Sequence, residues 1–367
     1  MSTGALRVLI VPEQLRRQAP GGIGTYTENL LRELTHRQER GELGDVEIEL
    51  YASAPRSRPD RLEVFRFPLR SSHLPGRALV PLWDAGLVRA PRGADIVHHV
   101  SLSGPASDAT IVTTVYDLAW RHVPEAFPPR GRRWHEAALE RALRRRAHLV
   151  VPSVETRDDL YEAGASSELV TVIPGGADHL NAPKEQATEQ LLARAGVHGG
   201  FFLAVGTREP RKNLERLVAA YRLARPELDV PMPLVLVGPK GWGSDDTADG
   251  SGVVALGQVT PSVLASLYAR AHLVGFVPLF EGFGLPVLEA MVAGAPVVAS
   301  AVPTAGDAVE LVEPTSIESI AAGIVAVAND ESRRADLIRR GREHAARFTW
   351  SATATAHLAL WQEIGAR

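Results

Sequence analysis

The feature that most constrains this chain is an alternation of short apolar runs with helix-patterned segments, and the alternation starts twice. In the first half, Leu6–Val11 (LRVLIV) reads as a buried strand ended by Pro12. Residues 25–34 (TYTENLLREL) then place Leu30, Leu31 and Leu34 at helical spacing. Residues 46–51, 63–67, 95–100 and 110–115 follow as strand candidates. A long Arg-rich helix is expected over 132–147, then strands over 148–151 and 170–174.

Residues 182–188, with Pro183 and Lys184, read as a polar linker, after which the pattern restarts. Strand 201–205 precedes helix 213–223, and strand 234–237 precedes a Gly-rich acidic loop at 238–252. Helix 261–270, strand 272–277, helix 284–292 and strand 296–300 come next, and from Ile317 the chain reads as almost wholly helical. Strands alternating with helices imply parallel sheets covered on both faces. Two such series imply two doubly wound α/β domains, and 367 residues suit two domains at roughly 100–200 residues each. In such sheets ligands sit beyond the carboxyl ends of the strands, at the point where strand order reverses.

Composition narrows the chemistry. The absence of cysteine removes disulfide scaffolds, zinc ribbons, iron–sulfur sites and thiolate catalysis together. Forty basic residues against 43 acidic ones, a formal charge of −3, argue against a nucleic-acid partner. No window approaches the roughly 18 apolar residues of a spanning helix, and the N-terminus lacks the pattern of a signal peptide, so a cytoplasmic protein is expected. The Arg-rich stretch (Arg130, Arg132, Arg133, Arg141, Arg144, Arg145, Arg146) could contact anionic lipid. The favoured reading is a solvated helix face paired with Glu136 and Glu140.

Three segments have the residues for chemistry. Gly21-Gly22-Ile23-Gly24 opens the first helix, where glycines let backbone N–H groups approach an anion and the helix N-terminus adds partial positive charge. It lacks the spacing of the dinucleotide fingerprint, and a capped flexible loop remains open from this segment alone. Gly206-Thr207-Arg208-Glu209-Pro210-Arg211-Lys212-Asn213 follows a strand and precedes a helix. Adjacent cations there oppose the helix dipole, a conflict that an anionic ligand such as a diphosphate would relieve. Phe280-Glu281-Gly282-Phe283-Gly284-Leu285-Pro286-Val287-Leu288-Glu289 places Pro286 in the first turn of a helix, where its missing N–H is harmless. Glu281 then lies on the loop, Glu289 about one turn into the helix, and the amides of Phe283, Gly284 and Leu285 point out of the helix start. Carboxylates beside such amides suit a sugar, whose hydroxyls both donate and accept.

On these motifs the chain resembles the retaining glycosyltransferases of family 4, with the GT-B fold: two facing doubly wound Rossmann-like parallel-sheet domains with an interdomain cleft. Glu281 and Glu289 match the family's E-x7-E motif within EGFGLPVLEA. GTREPRKN matches its donor-diphosphate segment, GGIGTY its N-terminal loop, and Phe348-Thr349-Trp350 the start of its C-terminal helix. The resemblance implies an acceptor-side domain over 1–183, a nucleotide-sugar domain over 184–347, and a helix over 348–367 that crosses back to the first. It implies that Arg211 and Lys212, with Thr207 alongside, meet the diphosphate and neutralise the leaving group. Glu281 would hold hydroxyls of the donor sugar together with the amides of Gly282, Phe283, Gly284 and Leu285, and Glu289 the ribose hydroxyls. Gly22 and Gly24 would approach the phosphates, and Gly257, Gln258 and Val259 would border the base. No cofactor or metal is implied, in keeping with the lack of a D-x-D element.

Three segments depart from the family pattern. Tyr116-Asp117-Leu118 stands where a His-Asp-Leu is usual, and that His lies against the donor sugar; Tyr116 and Asp117 are therefore counted with the catalytic residues. Ile173-Pro174-Gly175-Gly176-Ala177-Asp178 lacks the usual Asn, and the stretch after Ser300 is about four residues short. The reading is transfer of a hexose from a nucleoside-diphosphate sugar to an acceptor hydroxyl on a sugar, glycolipid or secondary metabolite. GDP-mannose leads UDP-glucose and dTDP-deoxysugars as donor. The alternative is a non-catalytic relative that binds a sugar nucleotide or serves as a partner subunit.

Overall fold

Every strand pairing in the two sheets is parallel. This computed structural model describes residues 4–17, 20–55, 60–180, 183–239 and 252–366. The first sheet contains β1 (Leu6–Val11), β2 (Val46–Ala52), β3 (Leu69–Ser71), β4 (Ile96–His99), β5 (Thr110–Thr114), β6 (His148–Val151) and β7 (Val170–Val172). The second contains β8 (Phe202–Val205), β9 (Leu234–Val237), β10 (Val253–Gly257), β11 (Leu273–Phe276), β12 (Val297–Ala299) and β13 (Glu310–Leu311). Their orders are β3-β2-β1-β4-β5-β6-β7 and β10-β9-β8-β11-β12-β13. Both are doubly wound orders, with the reversal between β1 and β4 and again between β8 and β11.

The chain groups into two units. Unit one holds Met1–Trp120, Phe127–Gly176 and Trp350–Arg367; unit two holds Arg121–Ala126 and Ala177–Thr349. In unit one, Val8 and Ile10 of β1 join one buried cluster while Leu9 and Val11 join another. In unit two, Leu203 packs to one side of the sheet and Phe202 and Ala204 to the other. Successive side chains of a strand point to opposite faces, so a strand that is apolar at every position must be covered on both. That is why the apolar runs are continuous rather than alternating.

Helix Trp350–Gly365 belongs to unit one. Trp350 meets the Tyr26 ring edge-on at 5.4 Å, and the Tyr26 hydroxyl lies 2.9 Å from His357 Nε2. Thr353 Oγ1 donates to the Pro174 carbonyl at 2.8 Å, and Arg37 Nη2 to that of Ser351 at 2.8 Å. Burial presses the His357 imidazole down to about 3, so it sits neutral in this core.

The structure departs from the sequence expectations in several places. The 63–67 stretch is no strand: Glu63–Phe65 is a 3₁₀ turn and Arg66 takes φ 55°, so the chain bends where alternation suggested extension. Thr35 Oγ1 holds that bend through the Phe65 carbonyl at 2.8 Å. Helix Gly76–Asp84 is an element the sequence reading did not include; it contains Pro81 and buries Leu79 and Trp83 fully. Within the expected linker, Glu185–Arg194 is a helix seated by Leu192, and the expected Gly-rich loop lies mostly outside the described residues. The Arg-rich helix spans Pro129–Arg144; Arg144 pairs with Glu140 at 3.2 Å, Arg141 with Asp84 at 2.8 Å, and Glu136 accepts from Trp120 Nε1. Among the described residues no helix is long and apolar enough to cross a membrane.

Candidate active site

In unit two the loops that leave β8 and β11 meet beside the reversal point. The chain from β8 makes a 3₁₀ turn at Pro210–Lys212, and Asn213 then takes φ 58° before helix Leu214–Ala224 begins. The Asn213 side chain is buried, and its Nδ2 donates to the carbonyls of Val277 at 2.9 Å and Pro314 at 2.7 Å. Leu279 N donates to the Arg211 carbonyl at 2.9 Å, so the two loops are joined through backbone as well.

This clamp sets Arg211 and Lys212 against Glu281. Arg211 Nη1 donates to Glu281 Oε1 at 2.6 Å and to the Phe280 carbonyl at 3.2 Å, while Nη2 donates to Glu209 at 2.9 Å. Lys212 Nζ donates to Glu281 Oε2 and lies 5.3 Å from the centre of the Phe276 ring. All three charged side chains are largely buried, at 11–15% exposure. Burial alone would push the Glu281 carboxyl up, but Arg211 and Lys212 together hold it at about 2. The conflict between these cations and the helix dipole is therefore offset within the chain, by Glu281 and Glu209. The ammonium still has three donors, of which Glu281 takes one, and a guanidinium has five.

Beyond Glu281 the chain enters helix Leu285–Ala293 through Gly284, whose φ is 99°. A side chain there would also lie 2.6 Å from Thr304 Oγ1 and 2.9 Å from Val302 Cγ2. Thr304 is buried and pins this turn twice, its N donating to the Phe283 carbonyl at 3.1 Å and its Oγ1 to that of Gly284 at 3.0 Å. The N-cap residue is a glycine with no side chain to offer, Pro286 has no N–H, and Val287 N turns back to the Gly284 carbonyl at 3.0 Å, so Leu285 contributes the first amide at this helix start. The short stretch after Ser300 is thus the support of the Gly282–Leu285 turn rather than a detached loop. Glu289 is no exposed helix residue: it is 6% exposed, with Tyr268 Oη donating to Oε2 at 2.8 Å and His179 Nε2 3.1 Å from Oε1. Thr207 is half-buried on the loop after β8; Gly257 ends β10, Gln258 is exposed and Val259 packs against the core. His122, grouped with unit two, stacks on Phe280 next to Glu281 at 4.1 Å between ring centres.

In unit one, Gly21–Gly24 forms the first turn of helix Gly21–Glu39, following a 3₁₀ turn after β1. Gly22 faces open space, whereas a Cβ on Gly24 would meet Pro20 Cβ at 2.2 Å. Gly22 thus leaves room for an approaching group, and Gly24 is required by packing. Tyr116 follows β5 and meets Tyr26 edge-on at 5.4 Å. Burial pushes its phenol well up, only partly offset by the nearby Thr27 hydroxyl, so the group stays neutral. Asp117 Oδ1 accepts from Ala119 N at 3.0 Å and so stabilises the turn that follows. Among the described residues no cluster of three His, Asp or Glu side chains is placed to hold a metal ion.

Sequence reasoning passed over Asn213, Thr304, Tyr268 and His179. An Asn directly before a helix was a legible signal for a left-handed or capping position. The other three lie far along the chain from the groups they touch, and no local pattern links them.

Known proteins resemble this chain in sequence and in fold. Residues 20–179 match the family Glycosyltransferase Family 4, and residues 196–344 match Glycosyl transferases group 1. O-antigen chain mannosyltransferase B of Escherichia coli is 30% identical, over 90% of this chain and 92% of that protein. A D-inositol 3-phosphate glycosyltransferase of Kribbella flavida is 30% identical over 76% of this chain and 73% of its own length. Among solved structures, Anabaena Alr3699/HepE in complex with UDP and glucose superposes with a TM-score of 0.70 at 19% identity, covering 98% of this chain and 100% of that one. Sucrose-phosphate synthase from Thermosynechococcus elongatus gives 0.74 at 21% identity, covering 98% and 99%. With both halves matched in order and two doubly wound parallel sheets beneath them, the chain belongs to glycosyltransferase family 4, the GT-B enzymes that transfer a sugar from a nucleotide sugar.

Proposed function

We propose that this enzyme moves a hexose from a nucleoside-diphosphate sugar to an acceptor hydroxyl with retention at the anomeric carbon, without a metal ion. The observation that supports it most directly is the Arg211–Lys212–Glu281 cluster at the reversal point of the second sheet. Breaking the bond between sugar and diphosphate develops negative charge on phosphate. Cations already oriented there stabilise that charge more in the transition state than in the ground state. Glu281 holds both cations in place before any donor arrives, which lowers the reorganisation needed at the moment of reaction. Glu281 and Glu289 are assigned to the donor sugar and the ribose. The first turn of helix Gly21–Glu39 offers amides to phosphate, with Gly22 leaving the approach open.

Mannose is the preferred donor sugar, a choice supported by the mannosyltransferase name of the 30% identical relative. The glucose and UDP of the Anabaena complex belong to a protein at 19% identity and bear on the fold alone. The test is calorimetric titration with UDP, GDP and dTDP, repeated on Lys212→Ala, with donor hydrolysis followed in the same samples. GDP binding weakened at least tenfold by Lys212→Ala, together with turnover of GDP-mannose, is the expected result. A wild type that binds none of the three overturns the reading. Binding without turnover across many acceptors assigns the chain to the non-catalytic alternative instead.

A further inference from the structure

The two carboxylates of the E-x7-E motif are held in different ways. Glu281 is neutralised by two cations, whereas no lysine or arginine among the described residues pairs with Glu289. Yet Glu289 is 6% exposed, and a carboxylate at that depth needs donors. Tyr268, fully buried on helix Pro261–Arg270, supplies a hydroxyl to Oε2 at 2.8 Å. His179, on the segment before helix Glu185–Arg194, supplies Nε2 to Oε1 at 3.1 Å. Three separate elements therefore define one carboxylate plane, with one donor on each oxygen.

Geometry follows from that count. An ionised carboxylate has about two acceptor sites on each oxygen. With one site on each oxygen taken by Tyr268 and His179, one acceptor site is left on each of the two oxygens. One acceptor on each oxygen matches a ligand that presents two adjacent hydroxyls, such as the 2′,3′-diol of a ribose. A lone hydroxyl would leave one acceptor of a nearly buried carboxylate unfilled, which is the basis of strong discrimination at polar sites. The Tyr268 phenol is suited to a permanent donor role, since burial, with the Glu289 carboxylate beside it, pushes it well above its ordinary value.

We infer that Tyr268 and His179 are positioning residues that fix Glu289 to accept both ribose hydroxyls of the donor nucleotide, and so set its preference for ribose over deoxyribose. The inference rests on the assignment of Glu289 to the ribose under Proposed function. Neither residue touches the reacting atoms; each acts through Glu289.

The test compares UDP and GDP with their 2′,3′-dideoxy forms by calorimetry, in the wild type and in Tyr268→Phe, His179→Ala and His179→Gln. Tyr268→Phe is isosteric, and the Gln amide nitrogen can stand in for His Nε2. The wild type should favour the ribose form, and Tyr268→Phe and His179→Ala should each reduce that preference about tenfold, a charge-assisted hydrogen bond's share. Binding of the dideoxy forms should be unchanged, His179→Gln should restore most of what His179→Ala loses, and donor KM should rise with kcat within about twofold. Variants that fold and keep the full ribose preference overturn the inference while leaving the ribose assignment standing. So do variants that weaken ribose and dideoxy forms equally, since that marks a general loosening of the pocket. A wild type indifferent to the ribose hydroxyls overturns the assignment of Glu289, and the inference with it.

Discussion

Replacing Glu281 by Gln keeps the shape of the side chain and removes the charge that Arg211 and Lys212 share. In the wild type the carboxyl is moved from an ordinary 4.5 to about 2, with burial raising it and the two cations lowering it further. At 1.36 kcal/mol per unit, that difference corresponds to about 3 kcal/mol of stabilisation near neutral pH. The group is only 11% exposed, so solvent screening removes little of it. Glu281→Gln should therefore raise amide exchange in peptides covering 202–213 and 273–289 by about 100-fold at pH 7. The sign of the pH dependence is fixed as well. A carboxyl with a depressed native pKa stabilises fully above its unfolded value, and loses that contribution as pH falls toward the native one. The gap between wild type and Glu281→Gln should stay level from pH 8 to about 5, then shrink between about 4.5 and 2. Opening free energies corrected for intrinsic exchange rates, measured from pH 7 down to pH 3, follow that gap. A gap that is absent at pH 7, or that does not change down to pH 3, refutes the claim that this ion cluster holds the two loops together.

Other consequences are as specific. Asn213→Gly keeps the left-handed backbone but loses the bonds to Val277 and Pro314, while Asn213→Ala loses both; urea unfolding should place Ala about 1 kcal/mol below Gly. Gly284→Ala forces a Cβ against Thr304 and Val302 at φ 99°, and should lower affinity for the nucleotide sugar at least tenfold by displacing the Phe283–Leu285 amides assigned to the donor sugar, read by calorimetry. Arg211→Lys retains the charge but cannot reach Glu209, Phe280 and Glu281 together, so kcat should fall tenfold or more although the net charge is unchanged. Tyr116→Phe should stay within about 1 kcal/mol of wild-type stability by thermal unfolding, because the ring packed on Tyr26 is retained.

The sequence by itself determined the architecture and marked the motif segments at strand ends and helix starts. Continuous apolar runs such as Leu6–Val11 and Leu234–Val237 require a strand covered on both faces, and the turns between them show where helices begin. Gly284 and Pro286 mark a helix start, and the Gly21–Gly24 run opens one in the structure. These are local rules, in which each residue's conformation follows from its near neighbours. What alternation misread at 63–67 was the turn at Arg66, an αL position that its side chain does not announce. Tertiary structure alone decided how the charges are shared. Arg211 and Lys212 looked like cations awaiting an anion, yet a carboxylate about seventy residues away already holds them. Glu289 could equally be read from the sequence as an exposed helix residue, and it is buried, hydrogen-bonded by Tyr268 and His179. The physical reason is the strand order: β8 and β11 are neighbours in the sheet although far apart in sequence, so the loops at their ends pair side chains that no sequence window contains.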